Sequence, residues 1–292
     1  MSKPSSVSVS LAARIQEMSA IADPAAMPKD VDEIVGELLR ALEAGEIRAA
    51  ERDANGEWRA VSWVKRGILL AFRIGQVIDM TAYVAEGAPA RLFFFDKHTL
   101  PPRGFDLTDG VRIVPGGSSI RRGAYVGAGV ICMPPMYINV GAYVGSGTMV
   151  DSHALVGSCA QIGARVHLSA GAQIGGVLEP VSATPVVIED DVLVGGNCGV
   201  YEGTVVRERA VLGAGVILTR GTPVYDLVRE TVHRADGERA LEIPAGAVVV
   251  PGARAVRGAW GREQQLSLQT PVIVKYRDEQ TDVSAALEAW LR

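Results

Sequence analysis

Aromatic residues and cysteines are scarce in this chain, and long apolar runs are missing. Only 5% of its 292 residues are aromatic, and its three cysteines, Cys132, Cys159 and Cys198, show no paired CxxC spacing. We therefore expect free thiols in a reducing compartment rather than disulfides. The N-terminus lacks the apolar segment of a signal sequence, and no stretch approaches the length that crosses a membrane. These absences favour a cytoplasmic protein without a membrane partner.

Concentrated positive charge is missing as well. The formal net charge is −4 at pH 7, and the 29 lysines and arginines are scattered along the chain. A protein that binds duplex nucleic acid needs a concentrated basic face, so we expect no nucleic-acid partner. A small anionic ligand needs only a few well-placed cations, and the composition does not exclude one.

Aliphatic residues, by contrast, recur at every sixth position through the middle of the chain. The series shifts by two residues once, resumes, and ends in a short fragment. Its members are Val114, Ile120, Val126, Cys132, Ile138, Val144, Val150, Val156, Ile162, Leu168 and Ile174, then Ile188, Val194, Val200, Val206, Leu212, Leu218 and Val224, then Ile243 and Val249. All except Cys132 are branched aliphatics, and a free cysteine behaves as a small hydrophobic residue.

Small residues and glycines flank the aliphatic residue at fixed offsets. Two positions before it lie Ala142, Thr148, Ala154, Ala160, Ala172, Cys198, Thr204, Ala210 and Thr222, and directly after it lie Gly127, Gly145, Gly157, Gly163, Gly175, Gly195 and Gly213. Each six-residue unit is interpreted as a short strand and a turn, in which the aliphatic points inward. The glycine is expected to take a backbone conformation that a Cβ would penalise. Three units make one triangular coil, and stacked coils make a parallel β-helix.

The region before the repeat has helical signals. Apolar residues spaced by three and four over 31–42 predict an amphipathic helix, with a capping box at Asp30 and Glu33 and an end at Gly45. Asn55-Gly56 predicts a hairpin. A second helix is expected over 62–73.

These signals divide the chain into three parts. Residues 1–110 form a mixed, mostly helical domain, residues 111–258 form the β-helix, and residues 259–292 form a C-terminal segment. Two excursions leave the coils, at 176–187 and at 225–242, and surface loops of this kind commonly carry ligand contacts. Finer expectations are a hairpin tip at Asp236-Gly237, an apolar strand at Pro271–Tyr276 and a short helix ending at Trp290-Leu291.

Several stretches are more specific than the bare repeat. They are Gly147–Asp151 (GTMVD), Val156–Gly163 (VGSCAQIG), Gly175–Pro180 (GGVLEP), Ile188–Asp190 (IED), Pro244–Val250 (PAGAVVV) and Val272–Lys275 (VIVK), with Trp63–Lys65 (WVK) and Leu69–Arg73 (LLAFR) in the first domain. Together they resemble the tetrahydrodipicolinate N-succinyltransferase family of hexapeptide-repeat acyltransferases. The resemblance covers nearly the whole chain.

The resemblance implies both an architecture and a reaction. It implies a left-handed β-helix, a hand that the repeat leaves open because parallel crossovers are normally right-handed. It also implies a homotrimer with three active sites between neighbouring prisms, and succinyl-CoA as co-substrate in the groove between adjacent subunits. No tightly bound cofactor and no metal site are expected. The amino group of hydrated, ring-opened tetrahydrodipicolinate attacks the thioester, giving N-succinyl-2-amino-6-oxopimelate in lysine and diaminopimelate biosynthesis.

Two residues receive roles by this resemblance. Arg112 contacts the dicarboxylate acceptor, since a guanidinium binds a carboxylate through two parallel hydrogen bonds. Asp151 meets the amino end of the acceptor, where a carboxylate can orient the amine and take its proton. On the residues alone, Arg112 also fits a surface arginine. Asp151 also fits a turn aspartate, because Asp tolerates turn conformations.

The chain departs from the family at Gly199 and at His153, where many members have a tryptophan. Gly199 stands where many members have a glutamate that is implicated in the site, and Glu179 and Glu202 are candidates to replace it, although each matches another acidic residue of the family. His153 is a candidate base, because histidine titrates near neutral pH; the alternative is a corner histidine that faces solvent.

Four further residues are expected to line the CoA site. Ala214 and Gly215 are small enough to let the pantetheine arm approach the backbone, and Arg220 and Lys275 would meet phosphates. Each of the four also fits a purely structural role.

Other functions stay open at this point. An acetyl-CoA-dependent enzyme for the same acceptor, or another hexapeptide acyltransferase, shares much of the coil sequence, although Ser158–Gln161 and Trp63–Arg73 favour the succinyl enzyme. A zinc carbonic anhydrase on the same prism needs three converging histidines, and only His153 and His167 lie in the coils. A non-catalytic scaffold is the third alternative, because a fold alone does not establish catalysis.

Overall fold

The computed structural model describes residues 6–81, 93–237 and 239–278, so the predicted helix ending at Trp290-Leu291 lies outside the described residues. The N-terminal region contains the helices α1 (Ser6–Ala20), α2 (Val31–Glu43) and α3 (Ser62–Ile74), a hairpin of β1 (Ala50–Arg52) and β2 (Trp58–Ala60), and an antiparallel pair of β3 (Val77–Asp79) and β4 (Phe95–Lys97). Short 3-10 helices lie at Pro24–Ala26 and Leu107–Asp109.

The local predictions for this region are confirmed with one exception. The helix over 31–42, the hairpin at Asn55-Gly56 and the helix over 62–73 are all present. The capping box is wrong: Asp30 precedes α2 with φ −89 and ψ 4, and its side chain makes no capping hydrogen bond. A side-chain cap requires extended backbone at that residue. Helix α1 is an addition whose buried residues, Leu11, Ile15 and Met18, follow the helical spacing of four and three.

The middle of the chain winds into a prism with three flat faces. Face one contains β5 (Arg112–Ile113), β8 (Ile131–Cys132), β11 (Met149–Val150), β14 (His167–Leu168), β17 (Leu193–Val194) and β20 (Val211–Leu212). Face two contains β6 (Ser119–Ile120), β9 (Tyr137–Ile138), β12 (Leu155–Val156), β15 (Gln173–Ile174), β18 (Gly199–Val200) and β21 (Ile217–Leu218). Face three contains β7 (Tyr125–Val126), β10 (Tyr143–Val144), β13 (Gln161–Ile162), β16 (Val187–Ile188), β19 (Val205–Val206) and β24 (Glu242–Ile243). Strands within each face pair in parallel, and the fold is the predicted left-handed β-helix.

The six-residue series fills the inside of this prism, with two corrections. The second residue of nearly every coil strand is buried in one continuous core. At the bottom, Ile113 rather than Val114 stands beside Cys132, because seven residues instead of six separate it from Ile120. At the top, Val224 is buried, but the place beside Val206 on face three belongs to Ile243.

The glycine that follows the aliphatic residue is required for a different reason than expected. None of these glycines has a positive φ. Instead, the next coil passes so close that a Cβ on Gly145 would lie 2.5 Å from the carbonyl carbon of Gly163. The left-handed conformation falls two residues later, at positions such as Gly147 and His153. The expected conformational role of these glycines is therefore wrong, and close packing of coils replaces it.

Strands with both parallel and antiparallel pairing close the top of the prism. They are β22 (Val224–Asp226), β23 (Thr231–His233), β25 (Ala247–Ala255) and β26 (Ser267–Tyr276), with the short helix α4 (Ala259–Glu263) between the last two. Strand β25 continues face one beside β20, and β26 pairs with β25 and β22. The predicted strand Pro271–Tyr276 is part of β26. Asp236 pairs with Arg239 in an isolated bridge at the predicted hairpin tip.

Two edges of the prism carry most of the predicted site residues. The Asp151 edge joins face one to face two and contains residues 151–154 and their counterparts in the other coils. The loop edge joins face two to face three and contains the excursion loop, which we define as residues 175–186, and the corners 201–204 and 219–222. The N-terminal helices share a core with Val140 and Cys159 of the loop edge. The segment just before the hairpin reaches face three, where Arg48 Nε donates to Gln161 Oε1 at 2.9 Å.

Candidate functional site

Asp151 lies at the start of the turn that follows β11. Its Oδ1 accepts a hydrogen bond from the backbone N–H of Ser152 at 2.7 Å, and its Oδ2 lies 3.7 Å from Nε2 of His167 on the coil above. Asp151 is absent from the residues with a positive φ, so the backbone does not require an aspartate here. The side chain is partly exposed, and a carboxylate has lone pairs to spare for a ligand.

Stacked turns along the Asp151 edge connect His153 with Ala214 and Gly215. The N–H groups of His153, Gly171, Asn197 and Gly215 donate to the coils below them along this edge, at 2.6, 2.9, 3.0 and 2.9 Å. His153 and Gly215 are therefore three coils apart, which is about 14 Å at the usual strand spacing. His153 is exposed with φ 61, and Ala214 is exposed beside Gly215. The candidate acceptor and pantetheine residues thus lie along a single, extended edge.

Arg112 lies lower on face one. It is exposed on β5, two strands below β11, which is about 10 Å along the stack. Among the described residues, its guanidinium has no hydrogen-bond or ion-pair partner. Arg112 is therefore available to an anionic ligand that approaches Asp151 from below.

Glu179, Glu202 and Arg220 meet on the other edge. They line a cavity of about 1020 Å³ on the loop edge, together with Tyr201 and Arg59. The backbone N–H of Arg220 donates to Glu202 Oε2 at 2.8 Å, and its guanidinium donates to the carbonyl of Gly237. The volume is at the upper end for a small-molecule site. Within one chain, these residues and Asp151 therefore lie on different edges.

Lys275 lies apart from both groups. It pairs with Val248 at the top of face one, and its Nζ lies 3.1 Å from the carboxylate of Asp278. The side chain is partly exposed, so it could reach a phosphate only at this end of the prism.

Gly199, the position where the resemblance places a glutamate, leaves no room for a side chain. Gly199 is buried on β18 of face two. A Cβ there would lie 2.5 Å from Cε2 and 2.9 Å from the hydroxyl oxygen of Tyr201. The tyrosine ring therefore fills the space into which a longer side chain would extend. Tyr201 was not among the predicted residues, although its place two residues after Gly199 was the available signal.

The three cysteines are unpaired and buried. Burial raises the thiol pKa of Cys132 and of Cys159 to about 12. A thiol in that state is a poor nucleophile at neutral pH.

Across the described ranges, no three His, Cys, Asp or Glu side chains come together as metal ligands. None of the described helices combines the length and the apolar character needed to cross a bilayer.

Two family models match this chain. The one described as the N-terminal region of tetrahydrodipicolinate N-succinyltransferase matches residues 12–74. The one described as the hexapeptide repeat of succinyl-transferase matches residues 185–220. The first match covers the N-terminal helices, and the second covers the coils from β16 to β21.

Whole-chain comparisons agree with these models. A 2,3,4,5-tetrahydropyridine-2,6-dicarboxylate N-succinyltransferase from Polynucleobacter asymbioticus is 41% identical over 273 residues, 92% of this chain and 92% of that protein. A protein of the same name from Nitrobacter hamburgensis is 43% identical over 272 residues, again 92% of each. The solved structure of a 2,3,4,5-tetrahydropyridine-2-carboxylate N-succinyltransferase from Campylobacter jejuni shares the fold at a TM-score of 0.52 and 18% identity, over 87% of this chain and 64% of that one. The chain belongs to the tetrahydrodipicolinate N-succinyltransferase family of hexapeptide-repeat acyltransferases.

Proposed function

We propose that this protein transfers the succinyl group of succinyl-CoA to the amino group of hydrated, ring-opened tetrahydrodipicolinate, in lysine and diaminopimelate biosynthesis. The names of its relatives support this acceptor and this acyl group. The observation that carries the proposal is the Asp151 edge, where a partly exposed carboxylate and the small residues Ala214 and Gly215 lie along one line of turns. An edge of this length suits an extended thioester donor better than a compact ligand.

Asp151 would act on the amine in this reaction. Its carboxylate accepts a hydrogen bond from the amino group and turns the nitrogen lone pair toward the thioester carbonyl carbon. The new C–N bond forms, a proton passes from nitrogen to the carboxylate, and the C–S bond breaks to release CoA as the thiolate, which then takes a proton. Arg112 would bind a carboxylate of the acceptor, since it lies about two coils below and has no competing partner among the described residues.

A homotrimer would bring the two edges together. In a closed three-fold assembly, each subunit presents one surface to one neighbour and a different surface to the other. Such an arrangement would set the Asp151 edge of one prism against the loop edge of the next, with Glu179, Glu202 and Arg220 facing Asp151. Three identical sites would result. Sedimentation should then give a mass near three times 30.8 kDa.

The donor is tested directly with both thioesters. The protein is incubated with tetrahydrodipicolinate and either succinyl-CoA or acetyl-CoA, and free thiol is followed with a thiol reagent. We expect release with succinyl-CoA that depends on the acceptor. Release with acetyl-CoA alone would replace the proposed donor by an acetyl group, and no release with either thioester would contradict the proposed reaction.

A further inference from the structure

Lys65 is a fully buried cation in the helical region. It lies on α3, is 0% exposed, and is the largest of the fully buried side chains. Its Nζ donates hydrogen bonds to the backbone carbonyls of Pro180 at 3.1 Å and Ala183 at 2.7 Å. Both acceptors belong to the excursion loop, so a side chain from the first domain reaches across to the prism.

The packing of α3 gives no reason for a charge at this position. The neighbouring buried positions of the helix are apolar, including Val64, Ile68 and Leu70. No carboxylate of the described residues forms an ion pair with Lys65, and burial lowers the pKa of its ammonium group. A buried charge without an opposite charge costs free energy, and an apolar residue of similar size is often the more stable choice. The lysine therefore has a use other than stabilising the helix.

The structure shows what Lys65 holds. Pro180 and Ala183 themselves line the cavity of the loop edge, together with Glu179 and Tyr201. The lysine binds this wall from the side that faces the helices. Apart from its link to Lys65, the carbonyl of Pro180 accepts a local hydrogen bond from the N–H of Ala183 at 3.0 Å, so the two anchored residues form one turn. Fixing that turn fixes the segment that carries Glu179.

We propose that Lys65 is a positioning residue that holds the excursion loop in the shape that forms the loop-edge cavity and places Glu179 in it. The inference deepens the proposed function, since the cavity is taken to be part of the acyl-transfer site. Lys65 touches neither substrate in this account. It acts through the backbone of the loop.

The test compares Lys65→Met with a matched control. Methionine keeps the apolar stem and removes the donors, so the helix should stay packed. Lys97→Met is the control, because Lys97 also donates to a backbone carbonyl, that of Gly75 at 2.8 Å, and Gly75 lies outside the cavity. Far-UV circular dichroism and thermal melting of both variants establish that they are folded. Lys65→Arg retains donors and a charge and should restore part of any loss.

Two readouts follow. Amide hydrogen exchange in residues 176–186 should speed up at least about tenfold in Lys65→Met and stay unchanged in Lys97→Met. In steady-state kinetics, KM for at least one substrate should rise roughly tenfold, while kcat changes by less than about threefold. Unchanged exchange in a folded Lys65→Met protein would overturn the positioning role. The exchange measurement needs no turnover, so it remains decisive if the wild type proves to lack the proposed activity.

Discussion

The ring of Tyr201 lies on a floor made by two glycines, Gly199 in its own coil and Gly175 in the coil below. A Cβ on Gly199 would lie 2.5 Å from Cε2 of the ring, and a Cβ on Gly175 would lie 2.7 Å from Cδ1. Both distances are shorter than any normal carbon–carbon contact. The ring can keep this place only while positions 175 and 199 lack a Cβ, so the residues at 199 and 201 are sterically coupled.

This coupling predicts a specific pattern of stability. Gly199→Ala should lower the free energy of unfolding by about 1–3 kcal/mol, because the added methyl group pushes against a ring that is packed on the coil. Adding Tyr201→Ala should remove most of that loss, so the double-mutant cycle should show a coupling free energy above about 0.5 kcal/mol. Gly104→Ala is the control, since a Cβ there meets nothing within 4 Å. Denaturant unfolding measures the wild type, the two single variants, the double variant and the control, and additive effects of the two substitutions would contradict the contact.

Asp151 can be removed without damage to the prism. Its φ is not positive, and its hydrogen bond to Ser152 is local. Asp151→Ala should therefore keep the fold and lose about 10²–10⁴-fold in kcat, the usual range for a group that transfers a proton. Asn139→Ala is a matched control, because the Oδ1 of Asn139 accepts the N–H of Val140 at 2.8 Å in the equivalent turn of another edge. Wild-type turnover in Asp151→Ala would remove this carboxylate from the reaction.

The six-residue pattern predicts the strands of the β-helix but not the conformation of its turns. The six-residue period predicts the strands because only the inward residue of each unit must be large and apolar, and Val150 or Ile188 could be placed from the pattern alone. The pattern does not identify the left-handed turn position, since residues as different as Gly147, His153 and Arg165 occupy it. The pattern therefore led to the wrong physical reason for the glycine that directly follows each aliphatic residue.

The candidate site was harder to predict than the fold. Which edge a residue occupies depends on its phase in the repeat and on the excursions, so Asp151 and Glu202, which both lie in turns after an inward aliphatic residue, occupy different edges of the prism. Lys65 and Tyr201 belong neither to the six-residue aliphatic series nor to a sequence motif with a known chemical role. Lys65 meets the carbonyls of Pro180 and Ala183, and Tyr201 meets Gly175, only after segments that are distant in sequence come together.

The remaining prediction concerns acid pH and the edge between faces three and one. Arg165 binds Asp191 through a fork, with Nε to Oδ1 at 2.8 Å and a terminal nitrogen to Oδ2 at 2.8 Å. The hydrogen bonds from Arg165 lower the pKa of the Asp191 carboxyl. The unfolded chain therefore binds this proton at a higher pH than the folded one does. The stabilising contribution is complete above the unfolded pKa of about 3.9 and is lost as the pH falls through the lower, folded value.

Removing this ion pair should make the free energy of unfolding less dependent on pH in acid. Asp191→Asn should cost less than about 1 kcal/mol at pH 7, because both side chains are more than one-third exposed and water screens their attraction. Below about pH 4, its free energy of unfolding should fall less steeply than that of the wild type. Arg165→Gln should have the same effect, and the double variant should add little to either, since both substitutions remove one interaction. Urea unfolding from pH 7 to pH 3 measures the slopes. Equal slopes for wild type and Asp191→Asn would show that this carboxyl titrates alike in the folded and unfolded chains.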